Sequence, residues 1–173
     1  MNAQRIPILP RPLLAALMLG SLVLVGGARA DQLAGTLGGE PQRWYVLSGE
    51  DGAQGTATFA VLGPGMARYS LQGHLERTFA TRGSLSLNFT VMNGQLLGAP
   101  EVSYFPSDKL FPVYSNEGAG DLTIKALDNH GNQTQLRGRY QGMLVRLEGV
   151  GQAPNGSDTL TLDIEFDVGM TSR

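Results

Sequence analysis

An alternation of apolar and polar side chains limits what this chain can fold into. Its clearest stretch is TLTLDIEFDV, residues 159–168, whose apolar side chains are Leu160, Leu162, Ile164, Phe166 and Val168. Such strict alternation predicts a strand with one buried and one solvated face, as in antiparallel sheets. Beyond the first thirty residues, no stretch repeats apolar residues at the 3.6-residue spacing of an amphipathic helix.

A second alternating stretch, SLSLNFTV at residues 84–91, leads into a hairpin signal. Asn93 and Gly94 both tolerate the positive φ of a two-residue hairpin turn, so a return strand is predicted from Gln95. Five further strands are predicted between turns that contain glycine or proline. They cover residues 43–48, 56–62, 66–76, 121–127 and 134–147, and the turns are GEDG at 49–52, GPG at 63–65 and APNGSD at 153–158.

About eight short strands at near-regular spacing predict a single all-β domain over residues 31–173. The expected architecture is one antiparallel β-sandwich with jelly-roll or Ig-like layering, and the alternative is an up-and-down β-barrel. The chain has no cysteine. Disulfides, thiol nucleophiles and thiolate metal sites are therefore excluded.

The N-terminal segment predicts export from the cell interior. Arg5 and Arg11 precede an apolar run at residues 13–25, and small residues precede a predicted cleavage site after Ala30. The run is shorter than the roughly 20 residues that span a bilayer, so a cleaved signal peptide over residues 1–30 is expected rather than a membrane anchor. Because small exported animal domains depend on disulfides, a cysteine-free one is expected to be bacterial, and periplasmic or secreted.

The net charge disfavours two classes of partner. Without the three arginines of the predicted signal peptide, ten basic residues remain against fifteen acidic ones, a net charge of about −5. The basic footprint typical of nucleic-acid binding is missing, and anionic membrane surfaces are disfavoured. We therefore expect no nucleic-acid partner and no membrane insertion after cleavage of the signal peptide.

A glycine-rich motif of the form L-x-G-x-aromatic-x-G precedes the final alternating strand. Its residues are Leu136, Gly138, Tyr140 and Gly142. In this the chain resembles small secreted bacterial β-sandwich domains of uncharacterised function. The resemblance implies a sandwich fold and brings no catalytic motif with it. The last strand of that family usually has a glycine before its aromatic residue, whereas Glu165 precedes Phe166 here.

Strands joined by short hairpins are also similar to those of lipocalin-like barrels, which carry small apolar ligands. The first strand of that family typically has glycine two residues before tryptophan, and Gln42 takes that place before Trp44 here. This resemblance implies a carrier of small apolar molecules, with an interior cavity on the order of several hundred Å³.

One polar cluster has the spacing that begins a calcium-binding loop. Asp128, His130 and Asn132 stand at its first, third and fifth positions. Such a loop needs glycine at the sixth position and glutamate at the twelfth, where this chain has Gln133 and Arg139. The segment is therefore predicted to be a turn between two strands, with His130 in solvent. We expect neither a metal site nor a cofactor.

His74 and Glu76 form a second polar pair, because they share one face of the predicted strand 66–76, opposite Tyr69. An exposed ion pair is expected there, and a metal or acid–base site is the alternative. Chain-wide, no serine-nucleophile elbow, zinc-binding helix motif, phosphate-binding loop or dinucleotide fingerprint occurs. Catalytic residues are therefore not assigned.

Three carboxylates line the polar face of the last predicted strand. They are Asp163, Glu165 and Asp167. Ion pairs with the basic residues of neighbouring strands, Arg137, Arg139 or Lys125, are expected for them. A carboxylate-based hydrolase that uses these groups is one alternative function.

The stretch 103–120 concentrates four of the twelve aromatic residues, namely Tyr104, Phe105, Phe111 and Tyr114. Two prolines in it predict a stiff loop rather than a regular strand. Aromatic rings on such a loop could stack on a sugar or contact a protein, and the alternative is that they fold back over the core. The sequence thus predicts a non-enzymatic binding or accessory module of the bacterial envelope, whose ligand is a glycan or an envelope protein.

Overall fold

The computed structural model of the protein describes residues 31–49 and 55–173, which form ten strands. The strands are β1 Gln32–Leu37, β2 Glu40–Val46, β3 Ala57–Gly63, β4 Met66–His74, β5 Leu85–Met92, β6 Gln95–Tyr104, β7 Val113–Ser115, β8 Asp121–His130, β9 Gln133–Leu147 and β10 Asn155–Ser172. The predicted signal peptide and most of the predicted GEDG turn lie outside the described residues. The described residues contain no helix, so the prediction of an all-β protein is confirmed. Among them there is thus no helix of the length and apolarity that crossing a membrane requires.

The strands form one mixed sheet that closes on itself. Eight of them follow one another in a ring of hydrogen-bonded neighbours, in the order β1, β10, β9, β7, β6, β5, β4 and β2. β3 lies between β10 and β4, and β8 pairs with the same edge of β9 as β7 does. The closure places the inward faces of these strands around a common core.

The prediction of a purely antiparallel arrangement is wrong at one place. Thr171 and Ser172 of β10 run parallel to Thr58 and Phe59 of β3, whereas the other paired strands of the described residues run antiparallel. The cause is the length of β10, which has 18 residues where the sequence indicated a strand over 159–168. Because β10 continues as an extended strand to Ser172, the end of the chain reaches β3.

Two strands were not expected from the sequence. β1 has the sequence QLAGTL, whose alanine and glycine interrupt the apolar alternation, and it is held between β2 and β10 by backbone pairing. β7 has only three residues and lies within the stretch predicted to be a loop. Backbone hydrogen bonding to neighbouring strands stabilises both, which explains why side-chain patterns did not reveal them.

The hairpin predicted at Asn93 and Gly94 is confirmed. Both residues have positive φ, 51° and 79°, and β6 begins at Gln95. The alternation of the last strand is confirmed as well, since its apolar residues from Leu162 to Val168 are buried and the residues between them are not. The Asn-Gly pair therefore located the turn, and the alternation of apolar and polar residues located the inward face.

The glycines of the L-x-G-x-aromatic-x-G motif make room for two aromatic rings. A Cβ on Gly138 would lie 2.6 Å from Phe166 Cζ and 2.7 Å from the backbone oxygen of Thr123. A Cβ on Gly142 would collide with the hydroxyl of Tyr140, which donates a hydrogen bond to the backbone oxygen of Ala119 at 3.0 Å. The motif thus reflects close packing between β8, β9 and β10.

Candidate ligand-binding site

The predicted aromatic loop is partly folded against the core. Tyr104 ends β6 and Tyr114 lies in β7, and their ring centroids are 6.3 Å apart. Tyr114 is buried and donates a hydrogen bond to Asp158 at 2.8 Å, and burial together with this bond raises its pKa. Phe105 and Phe111 are half-buried. Ligand binding by these four aromatics stays a prediction.

Two other apolar side chains of neighbouring loops are strongly exposed. Leu110 and Phe79 are each 71% exposed. They belong to the loops between β6 and β7 and between β4 and β5, which are joined by an ion pair between Arg82 and Asp108 at 3.0 Å. This surface, defined by Phe79 and Leu110, is named the loop-end patch below.

The prediction of an exposed His74–Glu76 pair is wrong. His74 is 0% exposed because the chain after β4 folds over it, so that its Nδ1 lies 2.9 Å from the backbone oxygen of Ala80 and the Phe79 ring lies 5.0 Å away. Glu76 is exposed beyond the end of the strand. One side chain is therefore buried and the other is exposed, so the two do not form an acid–base pair.

The predicted turn is confirmed at Gly131 and Asn132, whereas Asp128, Asn129 and His130 belong to the end of strand β8. β8 ends at His130, β9 begins at Gln133, and Gly131 between them has φ 65°. His130 is exposed. Within residues 31–49 and 55–173, no group of three or more histidine and carboxylate side chains is arranged to hold a metal ion.

The three carboxylates of β10 are engaged by side chains of neighbouring strands. Arg139 donates two hydrogen bonds to Asp163, at 2.9 and 2.7 Å, and holds the pKa of that carboxyl below its usual range. Lys125 pairs with Glu165 at 2.8 Å. Asp167 accepts a hydrogen bond from Gln135. The predicted structural pairing is thus confirmed for Asp163 and Glu165, while Asp167 has an amide partner instead of a basic one.

A cavity forms beside β8, which pairs with β9 beyond the end of β7. Asn116, which is 2% exposed, follows β7 and takes the place of a further stretch of strand pairing. Its side chain accepts a hydrogen bond from the backbone N–H of Val102 at 2.9 Å and donates to the backbone oxygen of Pro100 at 2.8 Å. Beyond this point β8 pairs only with β9 among the described residues, so it faces β3, β4 and β5 across an open space.

This space, named the hairpin-end cavity, has a volume of about 560 Å³. Residues of the β3–β4, β5–β6 and β8–β9 turns border it, so it opens between three hairpin tips. Its wall is mainly apolar and includes Phe59, Val61, Met66, Tyr69, Ile124 and Leu127. Within this wall, Phe59 and Tyr69 belong to a row of stacked rings that Phe89 completes, with centroids 6.0 and 5.2 Å apart.

Two of the hairpin tips are tied together at the mouth of the cavity. The backbone N–H of Asn93 donates to the oxygen of Gly65 at 2.8 Å, and Gly65 has φ 69°. Exposed apolar side chains surround these tips, among them Val61, Leu62 and Met92. An apolar rim beside an apolar cavity is typical of a ligand entrance rather than of a solvated turn.

Sequence patterns missed this site although they placed its residues on the correct face. Tyr69 and Val91 are inward-facing residues, as the alternation predicts, but alternation does not tell whether the space in front of such a face is filled. The available signal was the apolar sequence AVLGPGMA around a turn, where polar residues are usual. Comparison of the chain with protein-family models, with curated proteins and with solved structures found no match.

Proposed function

We propose that the protein is an exported, non-enzymatic carrier of a small apolar molecule, bound in the hairpin-end cavity. The single observation that carries this function is the apolar cavity of about 560 Å³, open between the hairpin tips. Small-molecule sites are typically concave, mostly apolar and about 300–1,000 Å³ in volume. In this proposal the ring of strands acts as a lipocalin-like container rather than as the predicted sandwich, whose two sheets would pack on a filled core.

Ala67 offers a direct test because its small side chain lines the cavity between Val61 and Val91 on the neighbouring strands. We expect Ala67→Phe to weaken binding of the apolar fluorescent dye N-phenyl-1-naphthylamine at least tenfold, about 1.4 kcal/mol. The phenyl ring would occupy the volume that the dye needs. Fluorescence titration of the purified mature protein measures the effect.

Ala60→Phe is the matched control, since residue 60 lies on β3 beside Val61 but on the opposite face of the sheet. This variant should bind the dye as the wild type does. Emission of Trp44, the single tryptophan, reports whether each variant is folded. The carrier proposal is contradicted if the wild type shows no saturable binding of the dye. It is also contradicted if Ala67→Phe binds the dye as tightly as the wild type does.

The loop-end patch supports a second function, the contact with a glycan or envelope protein expected from the sequence. Phe79 and Leu110 are large, exposed apolar side chains on two loops that an ion pair joins, and the half-buried Phe105 and Phe111 belong to the same loop as Leu110. Exposed apolar side chains on neighbouring loops favour a partner contact. The four predicted aromatics would then border the contact rather than form its centre.

Replacement of both patch residues, Phe79→Ser with Leu110→Ser, should reduce co-sedimentation with purified peptidoglycan at least fivefold if this surface binds a glycan. The reason is the loss of apolar area that could stack on sugar rings. Leu97→Ser serves as the control, because Leu97 is also exposed but belongs to β6 near the opposite end of the sheet. If the double variant and the wild type sediment equally, the proposal that this surface binds a glycan is wrong.

A further inference from the structure

We infer that the molecule bound in the hairpin-end cavity is an uncharged amphiphile, with an apolar chain and one neutral oxygen-bearing group such as a hydroxyl or an ester. The inference rests on the proposed carrier function and specifies its ligand class. Two features of the cavity support it: the absence of charged side chains from its wall among residues 31–49 and 55–173, and the neutral hydroxyl of a tyrosine in that wall.

Among the described residues, none that lines the cavity is acidic, basic or histidine. The charged side chains of the strands nearest to it are paired outside it: Arg68 with Glu101 at 3.3 Å, and Arg137 with Asp128 at 3.8 Å. A ligand carboxylate or ammonium placed against this wall would lose part of its water and gain no counter-charge. Burial of an unpaired charge is far more costly than burial of a neutral polar group, so the wall selects against ions.

Tyr69 provides the neutral polar group inside the cavity. The residue is 3% exposed, and within the described part of the chain no side-chain hydrogen bond affects the pKa of its hydroxyl. Burial raises the pKa of this phenol, which therefore stays protonated at neutral pH. A neutral phenol can donate one hydrogen bond and accept others, which suits a hydroxyl or ester oxygen equally.

Asn93 and Asn129 supply further uncharged polar groups nearer the mouth. The side-chain oxygen of Asn129 accepts a hydrogen bond from Thr134 at 2.7 Å, which leaves its amide nitrogen as a donor toward a ligand. Amides match neutral oxygen atoms without requiring a charge on either partner. The polar groups of the site are thus few and neutral, while the remaining wall is apolar.

Displacement of N-phenyl-1-naphthylamine by four ligands with the same ten-carbon chain tests the inference. Decan-1-ol and methyl decanoate are neutral, whereas decanoate and decyltrimethylammonium are charged at about pH 8. We expect the two neutral ligands to displace the dye at concentrations at least tenfold lower than either charged one. Methyl decanoate and decanoate form the sharpest pair, because they differ in charge and keep the chain and the carbonyl.

The outcomes separate this inference from the function on which it rests. If the dye binds and charged ligands displace it as well as neutral ones do, or if none of the four displaces it, the ligand class is wrong and the carrier function stands. If the dye does not bind at all, both fail. Preference for one charged ligand would likewise overturn the assignment of an uncharged ligand.

Tyr69→Phe tests the role of the hydroxyl as a ligand-positioning group. Removal of the hydroxyl should weaken the binding of decan-1-ol about threefold to tenfold, which is the range of one neutral hydrogen bond. Binding of the dye should stay nearly unchanged. Tyr114→Phe is the matched control, because Tyr114 is bonded to Asp158 and does not line the cavity. Equal displacement by decan-1-ol in Tyr69→Phe and the wild type would show that this hydroxyl does not hold the ligand.

Discussion

Gly138→Ala is expected to lower the free energy of unfolding by about 3 kcal/mol, at the upper end of the usual cost of overpacking. The new Cβ would lie 2.6 Å from Phe166 Cζ and 2.7 Å from the backbone oxygen of Thr123. The ring could shift only within a packed core, and the backbone oxygen belongs to the neighbouring strand β8. Relief would therefore require β8 and β9 to separate. Urea denaturation followed by Trp44 emission measures the change.

Gly156→Ala is the matched control for this substitution. Gly156 also lies in a strand, β10, but a Cβ there would meet no atom within 4 Å, and its φ is not in the left-handed region. Its replacement should change stability by less than about 1 kcal/mol, and alanine could even stabilise the strand. Similar losses for the two variants would mean that close packing around Gly138 is not the reason for that glycine.

Asn116→Ala is expected to cost about 2–4 kcal/mol of stability, because it leaves buried backbone groups of β6 without partners. The Asn116 side chain bonds the N–H of Val102 and the oxygen of Pro100, and it also donates to the oxygen of Ala119. Water cannot replace these contacts without opening the seam between β6 and the chain that leads to β8. Urea denaturation followed by Trp44 emission measures this loss of stability as well.

Asn132→Ala removes an exposed asparagine from the β8–β9 turn and should change stability by less than about 0.5 kcal/mol. In Asn116→Ala, amide hydrogen exchange should quicken first at Val102, since its N–H loses its acceptor. Unchanged exchange at Val102, with a stability equal to that of the wild type, would show that Asn116 does not hold the two segments together.

The same asparagine links stability to the proposed function. By ending the pairing between β6 and β7, it directs the chain away from β6, and β8 then pairs only with β9 within the described residues. The space left between β8 and the inward faces of β3, β4 and β5 is the hairpin-end cavity.

Much of this fold follows from local side-chain chemistry. Alternation identified the inward faces of β5 and β10, and Asn93-Gly94 specified a hairpin whose return strand begins at Gln95. The same chemistry predicted the turn that Gly131 and Asn132 form between β8 and β9. These features depend on φ preferences and on the two-residue period of a strand, which neighbouring residues determine among themselves.

Contacts between distant residues decided the rest. The alternation along β4 predicts that His74 is exposed, yet the Phe79–Ala80 segment covers it. β1 and β7 exist because neighbouring strands supply their backbone partners, and β3 meets β10 in parallel only because β10 is long. The cavity depends on the distance between β8 and β4, and no pattern along one strand specifies a distance to another. Thus the sequence by itself determined which residues face inward, and only the tertiary structure decided where that interior is filled and where it stays open.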